Sequence, residues 1–369
     1  MKFINNAIFS IFFLFGFLCS GSGLVTADFQ GDKRDYRQDM RNFVQDISSY
    51  ARNLNEKLLI IPQNGHELLT ETGEPGGLGA GDYHRAIDGV GREDLFYGYS
   101  DDNIATPDVV NQELIQFMDR AEVEELEVLV TDYCSTESFV DHSYSENAAR
   151  GYTSFAADSR ALDRLPEYPD RPYNENAMNI TSLDEAKNFL YLINPSLFST
   201  KEGFLDTLRA TTYDLIIMDL FYEEGELNQT EIASLKIKAN GGATRLIIAY
   251  MSIGEAEDYR YYWESSWETA QPSWLVEENP DWEGNYKVQY WDSNWQDIFF
   301  GNEDSYARRI VEAGFDGIYL DIIDAYEYFE ENHGKSEDKD GDSNPIAGFS
   351  LVISVGALIT GVILVRKRN

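Results

Sequence analysis

The sequence predicts an α/β protein whose main domain, residues 57–330, is a (β/α)8 TIM barrel. Short apolar runs recur along this region, several are continuous enough to be strands buried on both faces, and helical stretches separate them. No Gly-rich phosphate-binding turn follows the first run, which favours a barrel over an open doubly wound sheet. The other alternative to an eight-stranded barrel is a variant with seven strands. The predicted strands are residues 57–62, 93–99, 126–131, 152–157, 213–218, 245–251, 286–291 and 315–320.

Three stretches between these runs have helical patterns. Residues 107–121 place Val110, Leu114 and Phe117 at helical spacing. Ser182 and Glu185 have the spacing of a capping box, which predicts a helix over residues 184–192. A third helix is predicted over residues 301–313. The alternation of strands with helices is typical of parallel sheets.

The start of the chain has the pattern of a secretory signal peptide over residues 1–27. Lys2 precedes an apolar run over residues 7–18, and small residues lead to Ala27. The apolar run is shorter than the roughly 20 residues that a membrane span needs, so cleavage after Ala27 is favoured over an uncleaved anchor. Residues 28–56 are a lead-in segment before the barrel.

The end of the chain predicts a membrane anchor. Residues 346–365 are continuously apolar and are followed at once by Arg366, Lys367 and Arg368. Basic residues stay on the cytoplasmic side, so residues 366–369 are a cytoplasmic tail and the barrel lies outside the cell. Residues 331–345 are polar and charged, which predicts a flexible stalk. The expected location is the cell surface, with one membrane pass.

The composition limits the partners of the protein. A formal net charge of -36 predicts repulsion from nucleic acid. Cys134 is the one cysteine left after removal of the signal peptide, so no intramolecular disulfide is expected. His66 near the first run is a single imidazole and cannot build a zinc site, and we expect neither a metal nor another cofactor.

Acidic residues follow several runs, where a barrel carries its active site. Asp219 and Asp321 each end an apolar run, and Glu255 follows another closely. An unpaired carboxylate at such a place is costly and usually has a function. Paired carboxylates without metal ligands fit glycoside hydrolysis, in which one acid protonates the leaving oxygen and another attacks carbon or activates water. We therefore predict these three residues as catalytic.

Polar and aromatic side chains around the same ends are candidates for sugar binding. Aromatic rings offer flat apolar faces to the C–H face of a sugar and polar groups at their rims. Acidic chains also place Asp in turns and at helix caps, and surface packing is the structural alternative for Trp282 and Trp291. The predicted substrate-binding residues are Asn64, Asp132, Tyr250, Trp282, Trp291, Asp292 and Asp324.

Four motifs resemble a known family of exported prokaryotic proteins. They are residues 88–98 (DGVGREDLFYG), 249–260 (AYMSIGEAEDYR), 290–292 (YWD) and 314–321 (GFDGIYLD). The family is glycoside hydrolase family 114, of the endo-α-1,4-polygalactosaminidase type, once labelled as extracellular relatives of cysteinyl-tRNA synthetase. The similarity covers residues 57–329. The His-x-Gly-His and Lys-Met-Ser-Lys-Ser signatures of that synthetase class are absent from the sequence.

The resemblance implies a TIM barrel that cleaves galactosamine-containing polysaccharide. An Asp in an Asp-Leu-Phe context is the family's nucleophile, and Asp219 matches it. Other members have Gly-Glu before the seventh strand, and this Glu is a candidate acid/base, whereas this chain has Gly284-Asn285. The candidate proton donors are then Glu255, Glu283 and Asp321. We prefer Glu255, which follows an apolar run, and expect Asp321 to orient substrate hydroxyls or to hold one of the catalytic pair in its working state.

Two functions therefore follow from the sequence. The first is an anchored glycoside hydrolase that acts on an amino-sugar polymer. The second is a catalytically silent barrel that binds polysaccharide at the cell surface, which the change at Asn285 favours. In both, the partners are a polysaccharide and, through the C-terminal helix, the membrane.

Overall fold

The protein is a mixed α/β structure built on parallel strands. The computed structural model describes residues 34–223 and 225–337, and the elements lie in one compact unit that begins at Tyr36. The strands of the parallel sheets are buried along most of their lengths. These strands are β1 (Leu59–Pro62), β2 (Gly89–Glu93), β3 (Glu127–Tyr133), β4 (Thr153–Ala157), β5 (Phe189–Tyr191), β6 (Leu215–Asp219), β9 (Leu246–Ser252) and β13 (Gly317–Asp321).

The order of these strands follows the chain around the core. Hydrogen bonds join β1, β13, β9, β6 and β5 into one parallel sheet, and β2, β3 and β4 into another. A parallel bridge between Gln63 and Gly91 connects the two sheets beside β1 and β2. The first strand thus pairs with the last, an order consistent with a (β/α)8 barrel.

Helices connect the strands and cover their outer faces. The long helix α1 packs against α2, α8 and α9, with its apolar face, including Phe43, Val44 and Ile47, fully buried. The predicted helix over residues 107–121 is confirmed as α3, and the helix predicted over 301–313 begins later, as α8. The helices are α1 (Tyr36–Leu54), α2 (Gly81–Ala86), α3 (Asp108–Val123), α4 (Glu137–Arg150), α5 (Lys201–Arg209), α6 (Gln229–Leu235), α7 (Ser293–Gln296), α8 (Tyr306–Ala313) and α9 (Tyr326–Glu337).

A small antiparallel sheet lies between β9 and β13 in the chain. Its strands are β10 (Glu255–Glu257), β11 (Leu275–Glu278) and β12 (Asn285–Val288), with β12 in the centre. The strand predicted over residues 286–291 therefore belongs to this sheet, and its place in the parallel order is wrong. The physical reason is visible in β12, where most residues are only half-buried, whereas the parallel strands are covered on both faces. A two-residue pair, β7 (Phe221–Tyr222) and β8 (Gly225–Glu226), follows β6.

The helix predicted over residues 184–192 is also wrong beyond Glu185. The capping box of Ser182 and Glu185 is present, but it opens only a short 3-10 turn over Leu183–Glu185. The chain becomes extended at Ala186, and Phe189–Tyr191 then pairs with β6 as strand β5. Burial of this apolar segment against β6 overrides the local signal for a helix.

The second strand lies four residues earlier than predicted. Gly89–Glu93 forms β2, while the predicted strand over residues 93–99 forms mostly loop. This strand requires glycine at position 91, because a Cβ there would collide with the ring and hydroxyl of Tyr319. A glycine-containing strand lets the Tyr319 side chain fill the interior at this point. The apolar residues that follow are buried in the loop after β2.

The predicted signal peptide and membrane helix lie outside the described residues. Among the helices that are described, none has the length and apolar character required to span a bilayer. Helix α9 continues to Glu337 and so enters the range predicted as the stalk.

Candidate active site

Carboxylates meet where the parallel strands end. Asp219 is the last residue of β6, Asp321 is the last of β13, and Glu93 is the last of β2. Strand β9 lies between β6 and β13, with Tyr250 opposite Asp219 and Ser252 opposite Asp321. Because the strands are parallel, these residues lie at the same end of the sheet, as predicted for Asp219 and Asp321.

Asp219 forms a buried ion pair with Arg260. Arg260 Nη1 lies 2.6 Å from Asp219 Oδ2, and the side chains are 6% and 12% exposed. Arg260 Nε also donates to Glu257 Oε2 at 2.5 Å, so one guanidinium group serves two carboxylates. Burial raises the pKa of Asp219, and the charge of Arg260 opposes this rise. The Phe221 N–H donates to Asp219 Oδ1 at 2.9 Å.

Asp321 has hydrogen-bond donors but lies beside another acid. Tyr250 donates its hydroxyl to Asp321 Oδ2 at 2.7 Å, and the Ile322 N–H donates to Oδ1 at 2.8 Å. Burial and then the negative charge of Glu93 hold the pKa of Asp321 well above its ordinary value. Tyr250, a predicted substrate-binding residue, lies on β9 opposite Asp219, and its hydroxyl contacts Asp321 on β13.

Glu93 accepts hydrogen bonds from three neighbouring side chains. Gln63 Nε2 donates to Glu93 Oε2 at 2.6 Å, and Asn64 Nδ2 donates to the same oxygen at 3.1 Å. The Tyr133 hydroxyl donates to Oε1. Asn64 was predicted as a substrate-binding residue, and the structure places it beside Glu93 in the left-handed backbone conformation (φ 61°).

The hydrogen-bond and charge partners of Glu255 differ from those of Asp219. Its Oε1 accepts a hydrogen bond from Asn279 Nδ2 at 2.8 Å and lies 3.4 Å from Lys287 Nζ. Burial raises the pKa of Glu255, and the ammonium group of Lys287 opposes this rise. Strands β6 and β9 are adjacent, but Glu255 lies in β10, beyond the end of β9, and its carboxyl group pairs with Lys287.

A cavity of about 240 Å³ adjoins Glu255. Its wall includes Lys287, Asp324 and Glu327, with the rings of Tyr328 and Phe329. Burial raises the pKa of Asp324 to about 6, against the opposing charge of Arg92. Asp324, a predicted substrate-binding residue, therefore lines a space next to the strand ends.

Asp132 has a structural role, and its prediction as a substrate-binding residue is not supported by its position. The residue is fully buried, and its carboxyl oxygens accept hydrogen bonds from the Phe96 and Tyr97 N–H groups and from Ser143 and Asn147 of α4. Neighbouring residues of a strand point to opposite faces, so Asp132 faces outward while Tyr133 faces Glu93. The carboxylate ties the loop after β2 to α4.

Three other predicted residues lie away from the strand ends. Trp282 is 52% exposed in the turn between β11 and β12. Trp291 packs against Tyr36 and Phe329, with ring centroids 5.2 and 4.6 Å apart. Asp292 caps α7 by accepting a hydrogen bond from the Asn294 N–H at 2.8 Å. A packing role for Trp291 and a capping role for Asp292 are the structural alternatives considered above.

The sequence reasoning missed Glu93, Glu257 and Arg260 as site residues. All three lie within the motifs over residues 88–98 and 249–260. Placing the second strand at Gly89–Glu93 would have put Glu93 at a strand end. In the described part of the chain, no group of three or more His, Cys, Asp or Glu residues is arranged to hold a metal ion.

Comparison with known proteins gives one family match and several uncharacterized relatives. Residues 183–345 match the model of glycoside hydrolase family GH114, and this range contains Asp219, Glu255, Arg260 and Asp321. An uncharacterized protein of Methanocaldococcus jannaschii is 38% identical over 186 residues, which is 49% of this chain and 50% of that protein. One of Thermotoga maritima is 34% identical over 172 residues, 40% of this chain and 51% of that protein.

A third relative, an uncharacterized protein of Deinococcus radiodurans, is 38% identical over 130 residues, or 35% of this chain and 39% of that protein. The matches thus span about half or less of the length of these relatives. The resemblance predicted from the motifs is confirmed over residues 183–345, which match the model of glycoside hydrolase family GH114.

Proposed function

We propose that the protein is a glycoside hydrolase that cleaves galactosamine-containing polysaccharide, as an endo-α-1,4-polygalactosaminidase does. One observation carries the proposal: Asp219 and Asp321 end strands on either side of β9, within the part of the chain that matches GH114. Tyr250 lies between them and donates to Asp321. A pair of carboxyl groups at one end of a parallel sheet is what glycoside hydrolysis requires.

In the proposed reaction Asp219 is the ionised partner. The guanidinium group of Arg260 favours its carboxylate form. This carboxylate attacks the anomeric carbon or stabilises its developing positive charge, while a second carboxyl group gives a proton to the leaving oxygen. The candidate donors are Glu255, as preferred from the sequence, and Asp321. The net charge of -36 supports a substrate with ammonium groups, because it attracts a polycation to the protein surface.

The change Asp219→Asn tests this proposal. It keeps the size of the side chain and removes its charge, so cleavage of a galactosamine polymer should fall by roughly two orders of magnitude or more. Arg260 keeps Glu257 as a partner, so the melting temperature should stay close to that of the wild type. Asp206→Asn is the matched control, because Asp206 is 68% exposed on α5. If Asp219→Asn cleaves as fast as the wild type, the assignment of Asp219 is wrong.

A second candidate function is polysaccharide binding without cleavage. Asn285 stands where other members have Glu, and its Oδ1 is buried without a hydrogen-bond partner among the described residues. Retention of a galactosamine polymer on an affinity column by a wild-type protein that releases no reducing ends would favour this function. Release of reducing ends by the wild type would exclude it.

The proposal includes a closed barrel and an extracellular location. Strands β4 and β5 lie side by side at the junction of the two parallel sheets, which supports closure into a (β/α)8 barrel. The apolar segment over residues 346–365 and the basic residues after it support a C-terminal anchor with the enzyme outside the cell. An extracellular enzyme would meet amino-sugar polymers of a matrix or cell wall.

A further inference from the structure

Gln63 holds Glu93 next to Asp321. Its backbone N–H donates to the carbonyl oxygen of Leu320, the residue before Asp321, at 2.7 Å. Its side-chain Nε2 donates to Glu93 Oε2 at 2.6 Å, and the Tyr191 hydroxyl donates to its Oε1 at 2.9 Å. Gln63 thus hydrogen-bonds both to Glu93 at the end of β2 and to the residue before Asp321 on β13, and so holds the two acids close together.

The two acids have opposite surroundings. Glu93 accepts hydrogen bonds from three side chains, those of Gln63, Asn64 and Tyr133. Asp321 accepts from Tyr250 and from one backbone N–H group, and it lies in the field of Glu93. Two adjacent acids in a buried site cannot both ionise freely, so the proton resides on the acid with fewer donors.

Glu255 is less suited to carry this proton. The ammonium group of Lys287 lies 3.4 Å from its carboxyl group and favours the ionised form, whereas Glu93 favours the protonated form of Asp321. Asp321 keeps 9% of its surface exposed, compared with 5% for Glu255.

We propose that Asp321 is the general acid of the reaction and that Glu93 is the positioning residue that keeps its proton in place. The inference rests on the proposed function. Asp321 gives its proton to the glycosidic oxygen as the bond from that oxygen to the anomeric carbon breaks, and the leaving sugar departs as an alcohol. Asp219 bonds to or stabilises the anomeric carbon. Water then bonds to this carbon, the Asp219 carboxylate is released from it, and one proton of the water passes to the Asp321 carboxylate.

The charged and titratable groups around Asp321 come from several elements. Glu93 faces it from β2, Tyr191 from β5 and Tyr250 from β9. Tyr319 precedes it on β13, and Asp324 follows it in the next turn. The two carboxylates oppose its ionisation, and the Tyr250 hydrogen bond favours it.

The first experiment compares leaving groups. Asp321→Asn should cleave the polymer roughly 100-fold or more slowly, because general acid catalysis contributes on that order. Cleavage of a dinitrophenyl glycoside of a galactosamine oligomer should fall far less, because dinitrophenolate leaves without a proton. Equal losses on both substrates would overturn the assignment of Asp321. A wild type inactive on both substrates would instead refute the proposed function itself.

The second experiment measures the direction in which two substitutions shift the pH dependence of kcat/KM. A general acid must be protonated, so the alkaline limb of the kcat/KM profile follows its pKa. Glu93→Gln should move this limb to lower pH, because it removes the negative charge that opposes ionisation of Asp321. Tyr250→Phe removes a donor to the carboxylate and should move the limb to higher pH.

Opposite shifts in these two variants are not expected from loss of structure alone. Glu202→Gln is the matched control, because Glu202 is 68% exposed on α5, and its profile should equal that of the wild type. An active wild type whose alkaline limb moves in neither variant would overturn the role of Glu93 and leave the proposed function standing. If Glu93→Gln does not fold, the upward shift in Tyr250→Phe and the leaving-group comparison decide the role of Asp321.

Discussion

The change Arg260→Ala is expected to destabilise the protein strongly, because it leaves two buried carboxylates without their cation. Arg260 is 6% exposed and lies within 2.6 Å of both Asp219 and Glu257. Removal of one partner from a buried ion pair costs about 3–5 kcal/mol in the free energy of unfolding. The control is Arg309→Ala, which breaks a pair with Glu226 whose side chains are 28% and 40% exposed. That change should cost about 1 kcal/mol or less.

The cost of Arg260→Ala should depend on pH. Burial already raises the pKa of Asp219, and loss of the guanidinium charge raises it further. A carboxyl group whose pKa is higher in the folded state binds a proton on folding, so its contribution to stability declines as the pH rises above the ordinary aspartate value of about 4. The deficit relative to the wild type should therefore be largest near neutral pH and smaller near pH 5.

Urea unfolding followed by circular dichroism at the two pH values measures this deficit. The double variant Asp219→Asn with Arg260→Ala should recover part of the loss, because one buried charge is then removed with its partner. A loss below about 1 kcal/mol, or one that is equal at both pH values, would refute the electrostatic argument for this site.

Two further predictions concern the core and the topology. Lys238 and Asp214 form a fully buried pair at 2.5 Å, so Lys238→Met should lower the free energy of unfolding by about 3–5 kcal/mol, measured by urea unfolding. Lys201→Met is its control, since Lys201 is 39% exposed, and an equal loss in both variants would contradict the argument. Protease added to intact cells should release the domain and leave a small membrane stub, because residues 346–365 predict an anchor; a domain protected until lysis would exclude this topology.

Seven of the predicted runs overlap strands of the parallel sheets, although the second does so only at Glu93. Runs such as residues 213–218 and 245–251 are apolar enough to identify strands covered on both faces. Residues 286–291 were wrongly assigned to the parallel order, because a short run with aromatic residues has a similar pattern in parallel and antiparallel strands. Residues 189–191 were missed because a genuine capping signal preceded them, and only pairing with β6 made them a strand.

The sequence predicted those site residues whose position depends only on where a strand ends. Asp219, Asp321 and Tyr250 come together as parallel strands require. Asp132 follows the same pattern but faces outward, because a shift of one residue reverses the face of a strand. Arg260 could not be assigned to Asp219 from the sequence, since 41 residues separate them.

By itself, the sequence determined the resemblance to glycoside hydrolase family GH114, the alternation of strands and helices, and the acidic residues at the strand ends. These depend on local periodicity and on motifs that remain readable in one dimension. Tertiary structure alone decided which carboxyl group lies beside a cation and which lies beside another carboxylate. The protonation of a buried acid depends on charges a few ångströms away, and in this protein those charges come from strands far apart in the chain.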